Sequence, residues 1–313
     1  VKAPRYLSHD ELDGLRLGTR EVIDSIERLL IARKEGRAWS PPKAAVKVPD
    51  GRYVMSTLAV ADEPPFMAVK ALHLNQRNPA RGVPALNSLV ALMDGETGVP
   101  VALLEGNWIT AVRTAALSAL VALRMARASS SVAAFIGCGV QANSHLQALA
   151  ATFPVREVRA FGRGSANRDA LCAAAEKLGL KAVRSKSACD AVTGADLVVT
   201  SLPLAPKPTP FLDAGWLKPG AFVTMPDLAL PWLPGSMQAF GRIVIDDREQ
   251  EAAHPEPMVP PGMVTGDLAD LIEGRIAGRA SDEERSAFVF RGFGLADLAL
   301  AALAYQRANQ RGR

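Results

Sequence analysis

Residues 133–149 read AAFIGCGVQANSHLQAL: an apolar run, two glycines one residue apart, and then a segment that reads as a helix. The turn at its centre is G-x-G-x-x-A, over Gly137, Cys138, Gly139, Val140, Gln141 and Ala142. In a strand–turn–helix setting each small residue has a physical task. Gly137 permits the tight turn, Gly139 lets the backbone approach a pyrophosphate, and Ala142 lets the helix pack closely on the strand. The helix N-terminus, with free N–H groups and a favourable dipole, would hold the anion. Ordinary tight turns show the same spacing, so the weight of the motif lies in its context: it must follow a strand and open a helix inside a β-α-β unit.

The surrounding sequence supplies that context. VAAFIG leads into VQANSHLQALAATF, EVRAFG into ANRDALCAAAEKLG, and KAVR into the short ACDAVTGA, after which come DLVVTSL, GAFVTM and RIVID. Strands alternating with helices over short loops specify the α/β class, with a Rossmann-type, doubly wound parallel sheet. The kind of dinucleotide turns on the tip of the second strand, where an acid binds a ribose 2′-hydroxyl and a base accommodates a 2′-phosphate. That tip carries Gly162, Arg163, Gly164 and Ser165, and no carboxylate comes before Asp169. Arg163 and Ser165 can bind a phosphate, although Arg163 also reads as an ordinary surface arginine. NADP(H) is the preferred expectation and NAD(H) the alternative.

Upstream the pattern differs. Ser8 and Glu11 make a capping box ahead of an apolar stripe through Leu12, Leu15, Val22, Ile23, Ile26, Leu29 and Leu30, with Gly36 as the stop. Short β-like runs follow: AAVKV, RYVMSTL, FMAVKAL and NSLVALMD, the last joined through DGETG to VPVALLEG as a hairpin. With no long helix between them, these strands predict an α+β region with a mixed or antiparallel sheet. Asn107 is the expected cap of the long Ala- and Leu-rich helix WITAVRTAALSALVALRMAR. GLADLALAALAYQRAN is a further helix, and QRANQRGR reads as its solvated, frayed end.

Composition narrows the function. With 49% apolar and 22% charged residues among 313, the chain has material for buried cores, and its length suggests roughly two domains. The net charge of +4 is scattered, with no aromatic-interleaved basic stripe, so no nucleic-acid partner is expected. Cys138, Cys172 and Cys189 lie far apart without C-x-x-C spacing, and the four histidines form no ligand pair. No metal site and no disulfide framework are expected. The stretch VKAPRYLSHDELDGL lacks the apolar core of a signal peptide, and no uninterrupted apolar run reaches spanning length. The expectation is a cytoplasmic protein with no membrane partner.

Taken in order, EGNWITAVRTAALSA, IGCGVQANSH, VRAFGR, GADLVVTS, LKPGAFV and FRGFGLADLALAA resemble the ornithine cyclodeaminase/mu-crystallin family over nearly the whole chain. The resemblance implies a substrate-binding and dimerisation domain, residues 1–116 with 290–313, and a Rossmann NAD(P)-binding domain, residues 117–289. It also implies a homodimer and hydride transfer between nicotinamide and a carbon bearing an amine or imine next to a carboxylate. Lys70 in FMAVKAL matches the family's active-site lysine; by its residues alone it reads as a solvated strand position. Such a lysine can exchange a proton with the substrate nitrogen or hold the carboxylate. Arg113 in AVRTAA matches the arginine that clamps the substrate carboxylate, a bidentate task that suits a guanidinium. Thr114 would lie close to the cofactor, and Thr200, Ser201 and Leu202 in TSLPL fall where the family meets the nicotinamide ribose.

The sequence departs from the family pattern at three points. Lys43, in SPPKAAVKV, stands where the family has a second clamping arginine, and lysine offers no planar fork; Arg52 is the candidate to replace it. In MPDLALPWLPGSM, Ala229 takes the place of the family's catalytic aspartate when Pro231 is aligned with the family proline. Asp227, two residues earlier, either serves as a catalytic carboxylate or caps its loop. No acid in YVMSTLAVADEPP matches the one that cyclodeaminases direct at the substrate's side-chain amine. These losses fall on groups that deamination needs and imine reduction does not. The expectation is therefore an NAD(P)H-dependent reductase of a small imine or α-imino acid. Ornithine cyclodeaminase (L-ornithine to L-proline and ammonia), an amino-acid dehydrogenase and a non-catalytic NADPH binder are the alternatives.

Overall fold

A computed structural model describes residues 3–204 and 209–311. In chain order its elements are β1 (Arg5–Leu7), α1 (His9–Gly14), α2 (Thr19–Lys34), β2 (Ala38–Trp39), β3 (Ala44–Lys47), β4 (Tyr53–Ala61), β5 (Phe66–Leu74), β6 (Leu86–Asp94), β7 (Pro100–Glu105) and α3 (Gly106–Met125). These are followed by β8 (Val132–Ile136), α4 (Val140–Thr152), β9 (Glu157–Phe161), α5 (Ser165–Lys177), β10 (Lys181–Arg184), α6 (Ala188–Val192), β11 (Leu197–Thr200) and β12 (Phe222–Met225). The chain closes with β13 (Arg242–Ile245), α7 (Arg248–Ala252), β14 (Gly266–Asp267), α8 (Leu268–Ile272), β15 (Ser286–Val289) and α9 (Gly294–Arg311). The backbone forms two compact units, Val1–Arg113 with Phe293–Arg313, and Thr114–Gly292.

The first unit is built on a seven-stranded sheet of order β1-β7-β6-β5-β4-β2, with β3 also paired to β4. Only β1 and β7 run parallel; the other pairs are antiparallel, so the sheet is mixed. Along β4 the side chains alternate, with Met55, Thr57, Ala59 and Ala61 buried and Val54 and Leu58 exposed, as a period of two requires. Helix α9 lies on the buried face. Its Gly294 comes so near β4 that a Cβ there would stand 2.4 Å from the Leu58 carbonyl oxygen. Ser25 of α2 donates to the Ala299 carbonyl at 3.1 Å, tying α2 to the same helix.

The second unit is an eight-stranded, wholly parallel sheet of order β10-β9-β8-β11-β12-β15-β13-β14. Strand order reverses between β8 and β11, which is where α/β sheets open a crevice at their carboxyl ends. Ile136, Val198, Val223, Met225, Ile243, Ala287 and Val289 pack one continuous apolar core against this sheet.

Several local readings need correction. The capping box of Ser8 and Glu11 is present, but the apolar stripe is broken into α1 and α2. Arg16 adopts φ of 51° and Gly18 caps the second helix, so residues 15–18 turn the chain instead of continuing it. Asn107 does not cap α3. The Glu105 carboxylate does, accepting the Asn107 and Trp108 N–H groups at 3.0 and 2.8 Å, while the Asn107 side chain donates to Leu86. The C-terminal helix is not frayed where it is described. Arg311 donates to the Gly14 and Leu15 carbonyls at 2.7 and 2.9 Å, and only 312–313 lie outside the described residues. Strand β15, within SAFVF, is a strand beyond those expected, buried at all four residues as β11 and β12 are. Helix α3 is long and apolar enough to cross a membrane, and 83% of that window is buried within the protein.

Gly294→Ala separates close approach from helix propensity. Alanine would favour the helix by about 1 kcal/mol if space allowed. Overpacking against the Leu58 carbonyl is instead expected to destabilise the protein by about 1–3 kcal/mol, read as a lowered urea midpoint. A raised midpoint would contradict the packing described.

Candidate active site

In the first unit the sheet register sets Thr57 opposite Lys70 and Lys70 opposite Val90. Because directly paired residues share a face, Lys70 points with Thr57 toward α9. There it meets Asp297: Lys70 Nζ donates to Asp297 Oδ1 at 2.7 Å, and Thr57 Oγ1 donates to Oδ2 at 2.9 Å. Arg113, in the first half of α3, brings its Nε within 3.1 Å of the same Oδ1. The three charged side chains are 0%, 2% and 6% exposed, for Lys70, Asp297 and Arg113. Burial pushes the Lys70 ammonium down to about 8, with Arg113 acting in the same direction and Asp297 against it. Burial alone would raise the Asp297 carboxyl, but Lys70, Arg113 and Thr57 together hold it below the ordinary carboxylate range. Arg113 Nε is engaged in that ion pair, while Nη1 is buried and makes no hydrogen bond among the described residues, so this guanidinium still has a donor to offer.

Lys70 and Arg113 are thus brought together, on an aspartate that the sequence reading passed over. Its signal was there: Asp297 is the one acid in the apolar run GLADLALAALAY, residues 294–305. Thr57 carried no such signal. The structure does not bring Arg52 to this cluster. Its Nε donates to Asp50 Oδ1 and Oδ2 at 3.0 and 2.9 Å on an exposed turn that Arg77 also joins. Arg52 precedes β4 at the Tyr53–Leu74 end, four residue pairs from Lys70. Lys43 is half-buried and immediately precedes the Ala44–Ser56 pair, at the end of β3 nearest Thr57.

In the second unit the glycine turn follows β8 and opens α4. Gly137 has φ of 91°, and a Cβ on it would lie 2.6 Å from the Ser201 carbonyl oxygen. Both facts demand glycine. Gly139 is different: it caps α4 with an ordinary φ of −83°, and a Cβ on it would meet nothing within 4 Å. The space in front of it is open to an approaching ligand. Among the described residues no side chain caps α4 and Gln141 Oε1 is buried with no hydrogen-bond partner, while Ala142 is fully buried. An open cradle, an uncapped helix end and an orphan polar atom fit a dinucleotide pyrophosphate. Val140, at the first helical position, is 71% exposed.

At the tip of β9, Gly162 lies under the Cys138 thiol, and Arg163, Gly164 and Ser165 are exposed, with no side chain capping α5. Asp169, the first carboxylate after this tip, is held by Arg184 at 2.9 Å. Thr114 is buried on α3. A buried polar chain braces α4 from below. His145 Nδ1–H donates to the Gln141 carbonyl at 2.7 Å, which leaves Nε2 to accept from Ser118 at 2.8 Å. Ser118 in turn contacts Thr224 at 2.7 Å. Burial pushes the His145 imidazole down to about 4, so it stays neutral.

Asp227 follows β12 and is 2% exposed. Both its oxygens are engaged: Thr200 Oγ1 donates at 2.9 Å and the Leu202 N–H at 3.2 Å. Trp232 Nε1–H donates to Thr200 at 3.5 Å. The loop continues through Leu228 and Ala229 at φ of 63° and 58°, a left-handed pair that costs of order 1–3 kcal/mol per residue. Burial pushes the Asp227 carboxyl from 3.8 up to about 7, despite these hydrogen bonds. The folded state therefore holds an extra proton between those two values. The stability of the wild type relative to Asp227→Asn is expected to be greatest below about pH 4 and to fall as pH rises toward about 7. Urea denaturation at stepped pH measures it, and a difference that stays flat across this range would contradict the burial argument.

Over residues 7–312 the chain matches the ornithine cyclodeaminase/mu-crystallin family. It is 28% identical over 318 residues to the ketimine reductase mu-crystallin of Rattus norvegicus, covering 97% of each chain. Its fold is similar to the Thermococcus litoralis Delta(1)-pyrroline-2-carboxylate reductase in complex with NADH and L-proline, at TM-score 0.88 and 25% identity over 98% of each chain. It is also similar to an archaeal alanine dehydrogenase dimer with bound NAD, at TM-score 0.87 and 26% identity over 99% of this chain and 97% of that one. Reductases, dehydrogenases and an uncharacterized cyclodeaminase are thus among its relatives, as the resemblance implied, and the Rossmann-type α/β class holds. The chain belongs to the ornithine cyclodeaminase/mu-crystallin family.

Proposed function

We propose that this protein is an NADPH-preferring reductase of a small α-imino acid, giving a proline- or pipecolate-like α-amino acid. The charge of the buried cluster carries this reading. Lys70 and Arg113 against Asp297 leave one positive charge, and among the described residues Nη1 of Arg113 has no hydrogen bond. A substrate carboxylate supplies the missing charge and the missing acceptor together, which an uncharged ligand cannot do. Lys70, near 8, is protonated at neutral pH yet yields its proton readily. It gives that proton to the imine nitrogen while Arg113 holds the carboxylate, with Lys43 as the second cation of the substrate site.

Gly137, Gly139, Val140, Gln141 and Ala142 would hold the pyrophosphate, and Gly162, Arg163 and Ser165 the 2′-phosphate. Thr114, Thr200, Ser201 and Leu202 would line the nicotinamide end. When bound, the nicotinamide supplies a hydride to the imine carbon, so imine, NADPH and one proton become amine and NADP⁺. Exposed Arg163 and the neutralised Asp169 support the NADPH preference. The engagement of both Asp227 oxygens supports a holding role for Asp227, on the Thr200–Leu202 segment. That leaves cyclodeamination without the second acid–base group it requires. Among the described residues the three cysteines are unpaired, in keeping with a cytoplasmic setting.

A second copy of the chain is the proposed occupant of the sheet's outer face. Leu58, Val69, Ala91 and Leu103 stand in one row across β4, β5, β6 and β7. Leu58, Val54 and Leu89 on that face are each more than 40% exposed, an apolar surface of the kind that marks an interface. Leu58→Glu is expected to convert a dimer into a monomer in analytical ultracentrifugation; a wild type that sediments as a monomer would refute it.

Turnover decides the reaction. Δ1-pyrroline-2-carboxylate and Δ1-piperideine-2-carboxylate are supplied with NADPH or NADH, and in parallel L-ornithine with the oxidised cofactor. Imine reduction favouring NADPH, with the preference cut at least tenfold by Arg163→Ala, is the expected result. Ammonia and proline from ornithine would overturn it.

A further inference from the structure

One carboxylate oxygen serves both cations of the site. Asp297 Oδ1 lies 2.7 Å from Lys70 Nζ and 3.1 Å from Arg113 Nε, and Thr57 takes the other oxygen at 2.9 Å. The Thr57 hydroxyl fixes the rotation of the carboxylate, so that Oδ1 is the oxygen turned toward the cations. Five elements converge here: β5 brings Lys70, α3 brings Arg113 and α9 brings Asp297, while β4 adds an uncharged threonine and β6 adds Val90. Arg113 and Asp297 are the charged groups acting on Lys70.

Remove the carboxylate and two cations face each other in a dry site. Lysine is the weaker base, so it would lose its proton first. A neutral Lys70 has no proton for an imine. We propose that Asp297 is the positioning residue of this site: it keeps Lys70 protonated beside Arg113 and aims its Nζ, so that the carboxylate clamp and the proton donor act on one substrate. This rests on the reading of Lys70 as proton donor and names what makes that role workable. A carboxylate bound to Arg113 then brings the buried charge to zero and tightens the hold of Lys70 on its proton, readying the donor only when substrate is in place.

Two measurements on the purified, cofactor-loaded protein test it. In the first, kcat/KM for imine reduction is followed against pH. The wild type is expected to lose activity as pH rises through about 8, where Lys70 deprotonates. In Asp297→Asn that falling limb moves down by one pH unit or more, and acidification restores part of the lost rate. A variant depressed equally at every pH, with its limb unmoved, would mean a merely structural aspartate and would overturn the proposal. Should Asp297→Asn not fold, Asp297→Glu keeps the charge but displaces it. It is expected to hold the limb within about half a pH unit while lowering kcat/KM more than tenfold, and wild-type kcat/KM in this variant would equally overturn the proposal.

The second measurement needs no turnover. Pyrrole-2-carboxylate, a planar unreactive carboxylate, is titrated calorimetrically at pH 7 in buffers of different ionisation enthalpy. With Lys70 near 8, the wild type takes up about 0.1 proton on binding; Asp297→Asn takes up more than half a proton, and equal uptake overturns the proposal. If the wild type shows this uptake pattern but reduces no imine, the reductase reading fails and Asp297 keeps its role. If it reduces imines with the limb unmoved in Asp297→Asn, the role of Asp297 alone fails.

Discussion

The sharing of one buried carboxylate between a lysine and an arginine is the constraint on which the first unit is organised. Taking a single ion out of water costs several kcal/mol even after relaxation, and an unpaired one is worse. Lys70 and Asp297 lie 227 positions apart in the chain, so the pair exists only if the sheet and α9 are both in place. The fold commits to this contact. Gly294 gives up a side chain so that α9 can reach the Leu58 backbone, Ser25 ties α2 to the same helix, and Arg311 anchors its far end on Gly14 and Leu15. What results is a dry site with one surplus positive charge.

The second unit solves a different problem, joining three strand ends. Gly137 is needed because the Ser201 carbonyl presses on it, which couples the turn after β8 to the end of β11. Asp227 then couples the end of β11 to that of β12 through Thr200 and Leu202. Two left-handed residues follow Asp227, so backbone strain and a buried carboxyl are both concentrated at the carboxyl ends of the sheet's central strands. Strain of this kind persists only where the surroundings over-determine it. The polar chain from Gln141 through His145 and Ser118 to Thr224 adds a further brace behind the glycine turn.

Much of the second unit was legible in the sequence because its signals are local. A glycine turn, a helix start and an alternation of apolar runs are each read within a few residues, and the strands from VAAFIG to RIVID fall where the pattern puts them. In the first unit the strands β3 to β7 and the hairpin were legible for the same reason, but the short β1 and β2 and the site were not. Lys70 looks like any solvated strand lysine until α9 is laid over it, and Thr57 is an unremarked threonine until register sets it opposite. Asp297 announced itself only as an acid in an apolar helix. Asn107 and Arg52 show the reverse error: a plausible residue type in a plausible place, where a neighbouring carboxylate, Glu105 or Asp50, had the shorter reach.

The surplus positive charge beside Arg113 is the claim on which the functional account stands. It is tested most directly by comparing pyrrole-2-carboxylate with pyrrole-2-carboxamide, two planar ligands of nearly the same shape, by isothermal titration at pH 7. The carboxylate is expected to bind more than tenfold more tightly, and Arg113→Lys to remove most of the difference. Equal affinity for the two, or a preference for the amide, would contradict it.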